Sequence, residues 1–161
     1  MTNTIETAYR ALALAAALAS GSALAAEPDR SVKRQLDALK LAYSVDESGD
    51  FRLTFDLGNG RSQLAIVRSA TLAYGSLEIR ELLSIGHFGD PAGFPAPVAN
   101  RLLEHNNGAK LGAWVKQGGY AMFVSRIAAD AGRDELKDAL EATVRLADEI
   151  ERELDPEQDK Y

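Results

Sequence analysis

The 161-residue chain contains no cysteine. That absence excludes disulfides, zinc–thiolate sites, iron–sulfur clusters and thiol catalysis. Histidine is scarce: His87 and His105 are the only two, and they stand too far apart for any H-x-x-x-H or H-E-x-x-H metal spacing. Positive charge is in deficit, with 18 Lys and Arg against 24 Asp and Glu and a formal net charge of -6. An acidic chain of this kind disfavours DNA or an anionic membrane as a partner. No apolar run reaches the roughly 20 residues a membrane-spanning helix needs. No serine sits in a G-x-S-x-G setting. Gly58-Asn59-Gly60 lacks the spacing of a phosphate cradle and joins two strand-like segments rather than a strand and a helix.

What is present begins with a leader. The run from Ala11 to Ala19 is wholly apolar, Ser20-Gly21-Ser22 breaks it, and Ala23-Leu24-Ala25 places small residues where a signal peptidase cuts. Residues 1–25 therefore read as a secretory signal, although Arg10 is its only basic residue and Glu6 offsets it. The competing reading is an alanine-rich helix packed on the domain. Residues 26–161 are of single-domain size. An exported, cysteine-free domain suits a bacterial periplasm and meets no nucleotide cofactor pool.

Periodicity supplies the elements. Val32, Leu36, Leu39 and Tyr43 line one face of a helix expected from Pro28 to Tyr43. Asp46 to Asp50 forces a turn. Phe51 to Leu57 alternates apolar and polar residues strictly, as a half-buried strand does. Gly58-Asn59-Gly60 signals a hairpin into a return strand from Ser62 to Ser69. Leu77 to His87 is a third strand, with Glu81 on its apolar face in need of a partner. After a proline-rich loop from Phe88 to Pro97, Val98, Leu102 and Leu103 mark a short helix, with Asn106-Asn107-Gly108 suited to a left-handed C-cap. Leu111–Lys116 and Tyr120–Ile127 form a second hairpin around Gln117-Gly118-Gly119. A long helix runs from Asp134 to Leu154. The expected fold is α+β: helix, three strands, helix, two strands, helix, with a largely antiparallel sheet and the helices on one face.

Chemistry-bearing residues are few. Asp46-Glu47-Ser48-Gly49-Asp50 resembles a calcium loop only in part, because the position of the closing glutamate is Phe55. Ser84 and His87 are close in sequence, but a separation of three in a strand points them to opposite faces. His105 near a helix end is accounted for by the helix dipole. No catalytic, cofactor-binding or metal-binding residue is assigned, and no cofactor is implied. Trp114 and Phe123 are the candidate partner-binding residues, since aromatics on an outer sheet face would make a protein-binding patch.

The element order, with its turn and cap residues, resembles the YbjN-like family, whose fold is shared by type III secretion chaperones. Leu39 to Tyr43, then Asp46, Gly49, Asp50 and Phe51, are similar to that family's first helix, acidic-glycine turn and opening strand. Leu102, Leu103, Asn106 and Asn107 are similar to its central helix and cap. Gly112, Trp114 and Val115, with Ala147-Asp148 in the last helix, are similar to its closing hairpin and helix. The resemblance covers residues 30–155. It implies a protein-interaction or regulatory module with no catalytic residues to carry over. Type III chaperones bind extended client segments, usually as dimers, which implies a protein or peptide partner and a homodimer. Those relatives are cytosolic, and the leader departs from that pattern.

The expected function is thus an exported, non-enzymatic protein-interaction module, chaperone-like or regulatory. One alternative is a periplasmic carrier of a small apolar ligand, lined by Phe51, Leu53, Phe55 and Leu57. Another is a cytosolic sensory or regulatory protein, should residues 1–25 not be a signal.

Overall fold

The computed structural model describes residues 26–156 and 159–161. The leader, residues 1–25, lies outside the described residues. Helix α1 (Arg30–Leu39) is capped by the Asp29 carboxylate, which accepts the N–H of Ser31 and Val32 at 2.7 and 3.0 Å. It ends sooner than the apolar spacing suggests. Lys40 takes a left-handed conformation (φ 57°), and Tyr43 leaves the helix to pack edge-on against Phe51 at 5.2 Å.

A two-residue strand β1 (Ser44–Val45) then pairs with β2 (Phe51–Gly58) across the acidic turn. Strands β3 (Arg61–Tyr74) and β4 (Leu77–Phe88) follow, then α2 (Ala96–Asn106), β5 (Gly112–Gln117), β6 (Tyr120–Ala128) and α3 (Arg133–Leu154). The six strands form one sheet in the order β1-β2-β3-β4-β6-β5, and every pairing is antiparallel. The α+β order read from the sequence is therefore the fold, with β1 added.

Register sorts the side chains into two faces. Phe51 pairs with Val67, Val67 with Leu82, Leu82 with Ser125 and Trp114 with Phe123, so these residues share the inner face. Helix α3 lies across this face. Its Leu136, Leu140 and Val144, with Val32 and Leu36 of α1, bury Phe51, Leu53, Ala65, Val67 and Leu82. Its Ala147 and Ile150, with Leu102 of α2, bury Trp114, Ala121 and Phe123. A leucine or phenylalanine side chain buried in this way contributes about 1.5–3 kcal/mol. The two cores are one continuous layer beneath α3, flanked by α1 at one end and α2 at the other.

Two local readings change. Asn107 is right-handed (φ -63°), so α2 does not end in a left-handed cap. The Asn106 side chain instead accepts the backbone N–H of Trp114 at 2.7 Å and ties the helix end to β5. A bulge between Ile85 and His87 shifts the register, so that Ser84 faces Phe123 and His87 faces Ala121. Both therefore lie on the inner face, because the extra residue, Gly86, restores the alternation that a spacing of three would break. An added Cβ on Gly86 would stand 2.4 Å from the Trp114 ring, which shows how closely that ring lies over the bulge.

Candidate functional site

Most polar residues that could carry chemistry are engaged in holding the fold. In the acidic turn, Asp46 Oδ1 accepts the N–H of Ser48 and Asp50, and Gly49 has φ 78°. Asp50 is buried and accepts Ser69 N–H at 2.8 Å and Arg68 Nη1 at 3.2 Å. The turn is a backbone device, with the Asp46 and Asp50 carboxylates consumed by the chain itself. Ser84 Oγ donates to the carbonyl of Leu64 and accepts from Gln63 Nε2, so it is not poised as a nucleophile. Among the described residues there is no group of three His, Cys, Asp or Glu arranged to hold a metal. No described helix is long and apolar enough to cross a membrane.

Both histidines brace α3. His87 Nδ1 lies 3.2 Å from Asp155, and its ring meets Phe94 edge-on at 5.6 Å. His105 is held from both sides: Trp114 Nε1–H donates to its Nδ1 at 2.9 Å, and its Nε2 lies 3.2 Å from Glu149. An indole nitrogen only donates, so His105 Nδ1 must be the acceptor and the neutral ring carries its proton on Nε2, facing the carboxylate.

Trp114 and Phe123 lie on the inner face, not the outer one. Phe123 is fully buried and meets Trp114 edge-on at 5.6 Å. The reason is that both faces of β5 are apolar, Gly112 and Trp114 on one and Ala113 and Val115 on the other, and helix packing claims the larger ring. Phe123 presents nothing to a partner. Trp114 keeps part of its ring at the floor of a groove of about 280 Å³ between α2 and β5.

The exposed apolar surface lies elsewhere. The β3–β4 hairpin runs past the body of the sheet, and residues 70–78 are all exposed. Its register pairs Leu72 with Ile79 and Tyr74 with Leu77, which puts all four on one face of the ribbon. Leu72, Tyr74 and Leu77 are 50, 78 and 59 % exposed. The same face continues along the outer side of the sheet through Ile66, Ile85 and Met122, which are half-buried, and Leu83 and Val124, which are buried. Neither helix-covered core draws a residue from it. Glu81, the residue in need of a partner, accepts both Nε and Nη2 of Arg126 at 3.0 and 2.7 Å in the middle of this stripe.

The base of the arm is pinned from the inner side. Arg80 donates to the carbonyls of Arg68 and Ser69 at 2.6 and 3.0 Å and to Asp29 at 2.8 Å. Burial pushes the Asp29 carboxyl up, but the N–H of Val32, the Arg80 charge and the N–H of Ser31 outweigh it and hold it below the ordinary carboxylate range. At the opposite end of the sheet, Arg61 meets Asp148 at 2.6 Å and the buried Glu151 at 3.3 Å. Burial raises the Glu151 carboxyl above its ordinary range, against the pull of the Lys160 N–H and Arg61.

The face proposed to line a ligand carrier is filled. Phe51 and Leu53 are buried under α1 and α3, and a hollow of about 70 Å³ lies beside Phe55. No family model matches this chain, and no curated protein matches it significantly.

Proposed function

We propose that this chain is an exported, non-enzymatic protein-interaction module of YbjN-like type, chaperone-like or regulatory in role, working as a homodimer joined through the β3–β4 arm and the outer sheet face. One observation carries the reading. The β3–β4 hairpin ends in a tip beyond the last β6 pairing at Ile79, and Leu72, Tyr74, Leu77 and Ile79 share one face along it, the first three exposed. Large exposed apolar patches mark interaction sites.

A second copy is the occupant that fits. The stripe carries its own compensating charges, Glu81 and Arg126, beside the apolar surface. Because Glu81 and Arg126 pair within the chain, an identical face can meet this one without either copy bringing an unpaired charge from that pair. The three strands of the stripe, spaced about 4.8 Å apart and about six residues deep, give roughly 300 Å² of sheet face. The arm extends this toward the roughly 800 Å² per partner of a standard interface.

The test is sedimentation equilibrium on the full chain. Wild type should show a monomer–dimer equilibrium. Replacing Leu72 and Leu77 with glutamate should give a folded monomer whose unfolding midpoint no longer depends on protein concentration. A monomeric wild type, or a dimer indifferent to these changes, would refute the reading. Export has its own test in the N-terminal residue of the protein from its host. Ala26 or Glu27 supports export. An intact Met1 in a soluble cytosolic fraction returns the chain to the cytosolic regulators.

A further inference from the structure

The groove between α2 and β5 lies at the sheet edge, and none of the dimer-face residues Leu72, Tyr74, Leu77, Glu81 and Arg126 lines it. Phe94, Ala99, Leu102, Leu103, Trp114 and Lys116 line it. Strand β5 is the last in the sheet, so among the described residues one side of its backbone has no neighbouring strand. Which groups point outward follows from the ladder. Leu111 C=O accepts the N–H of Arg126, so the odd-numbered residues of β5 bond to β6 and the even-numbered ones face away.

Asn106 already occupies the outward N–H of Trp114. The Trp114 C=O and both backbone groups of Lys116 follow before the chain turns at Gly118 (φ 56°). That edge is too short for a second β5, which would need the Trp114 N–H that Asn106 already holds. It is long enough for a short extended peptide.

The charge at the groove says what that peptide carries. Lys116 Nζ donates to the carbonyls of Pro91 and Gly118, each at 2.7 Å, and meets no carboxylate among the described residues. Nearby Arg101 is already paired with both oxygens of Glu153 at 2.7 Å. The groove therefore has an apolar floor and a cation that rests on two carbonyls and, at 5.5 Å, on the Phe94 ring, with no carboxylate partner among the described residues.

We infer that the α2–β5 groove binds an extended acidic peptide by strand addition to β5. Trp114 and Lys116 are two residues apart and share a face. An added strand has the same period of two, so the ligand carries an apolar side chain and, two residues on, an Asp or Glu. The apolar side chain lies between Leu102, Leu103 and the Trp114 ring. The carboxylate pairs with Lys116. The site is independent of the dimer face, so either assignment can fail without the other.

Trp114 is the only tryptophan and reports directly on occupancy. The probe is the blocked peptide acetyl-Thr-Leu-Thr-Glu-Thr-amide, titrated into the full chain while indole fluorescence is followed. The expected result is a saturable change with a Kd of about 0.1–1 mM, the range for a handful of backbone hydrogen bonds and one side chain. Moving the acid to give acetyl-Thr-Leu-Glu-Thr-Thr-amide should weaken binding about tenfold, because the carboxylate then points to the other face. Lys116→Glu should abolish binding of the acidic peptide and create binding of the Leu-Thr-Lys counterpart. That exchange of preference separates ligand pairing from the loop contact Lys116 also makes. Should Lys116→Glu perturb the loop, Leu103→Asp, at an exposed position on α2, tests the apolar half and should weaken binding of the acidic peptide about tenfold. No saturable change up to about 10 mM, equal affinity for the two acidic peptides, or an unaltered preference in a folded Lys116→Glu variant would overturn the assignment.

Discussion

Replacing Arg80 with methionine should loosen the base of the β3–β4 arm, and the size of the effect can be worked from its contacts. The side chain is 4 % exposed and reaches three acceptors, the carbonyls of Arg68 and Ser69 and the Asp29 carboxylate. Methionine keeps the length and the packing but donates nothing. Each carbonyl loses its donor at the register shift between Val67 and Thr71, at about 1 kcal/mol apiece for partly buried groups. Asp29 is 26 % exposed and keeps the N–H groups of Ser31 and Val32, so its lost ion pair is worth about 1 kcal/mol rather than the 3–5 of a fully buried pair. The sum is about 3 kcal/mol, or roughly 10 °C in Tm for a domain of this size. Urea unfolding of Arg80→Met, Asp29→Asn and the double variant measures it. Asparagine retains the cap, so the double-mutant coupling isolates the ion pair at about 1 kcal/mol. A loss under about 0.5 kcal/mol for Arg80→Met would show that the three contacts do not hold the arm.

Three further outcomes follow from the packing and titration of the fold. Gly86→Ala drives a Cβ to 2.4 Å from the Trp114 ring and 2.9 Å from the Ala147 carbonyl, and should destabilise by about 2–3 kcal/mol. Gly93→Ala, with nothing within 4 Å, should be nearly neutral, and urea unfolding of the two variants checks both. Glu151 is raised by burial, so its contribution is fully present below the unfolded value of about 4.3 and is lost as pH rises through the folded value. Glu151→Gln should therefore gain stability relative to wild type between pH 4 and pH 7 in urea midpoints, and a relative loss would contradict the burial argument. Asp29 is lowered, so its contribution runs the other way: it is present above about pH 3.9 and lost as pH falls through the folded value. Asp29→Asn should narrow its deficit against wild type on acidification below that range.

Where one side of an element meets the core and the other meets solvent, its residues announce it. The alternation of Phe51, Leu53, Phe55 and Leu57 marks β2, the Gly58-Asn59-Gly60 turn marks its hairpin, and the stripe from Leu136 to Ile150 marks α3. That contrast fails in the arm. Beyond Ser69 the strand leaves the sheet body and both of its faces are exposed, so Thr71 to Tyr74 shows no buried alternation. It fails again in β5, where apolar residues on both faces leave the position of Trp114 to be decided by α2 and α3. The groove was beyond local pattern for a third reason. Its walls come from a loop, a helix and an edge strand, and its one polar determinant is a lysine whose neighbours are 25 and 2 residues away in sequence. The ring of His105 likewise acquires its tautomer from Trp114 and Glu149, partners that tertiary packing supplies.

The central claim, that two copies meet through the arm, is tested most directly at its tip. Ser76 lies in the turn between β3 and β4 and is exposed. Because the chain has no cysteine, Ser76→Cys carries a single spin label on a clean background. Double electron–electron resonance on the labelled full chain should give one defined distance between copies, and Leu72→Glu with Leu77→Glu should erase it. A featureless background from the labelled wild-type surface, or a distance that survives those two substitutions, would contradict the account.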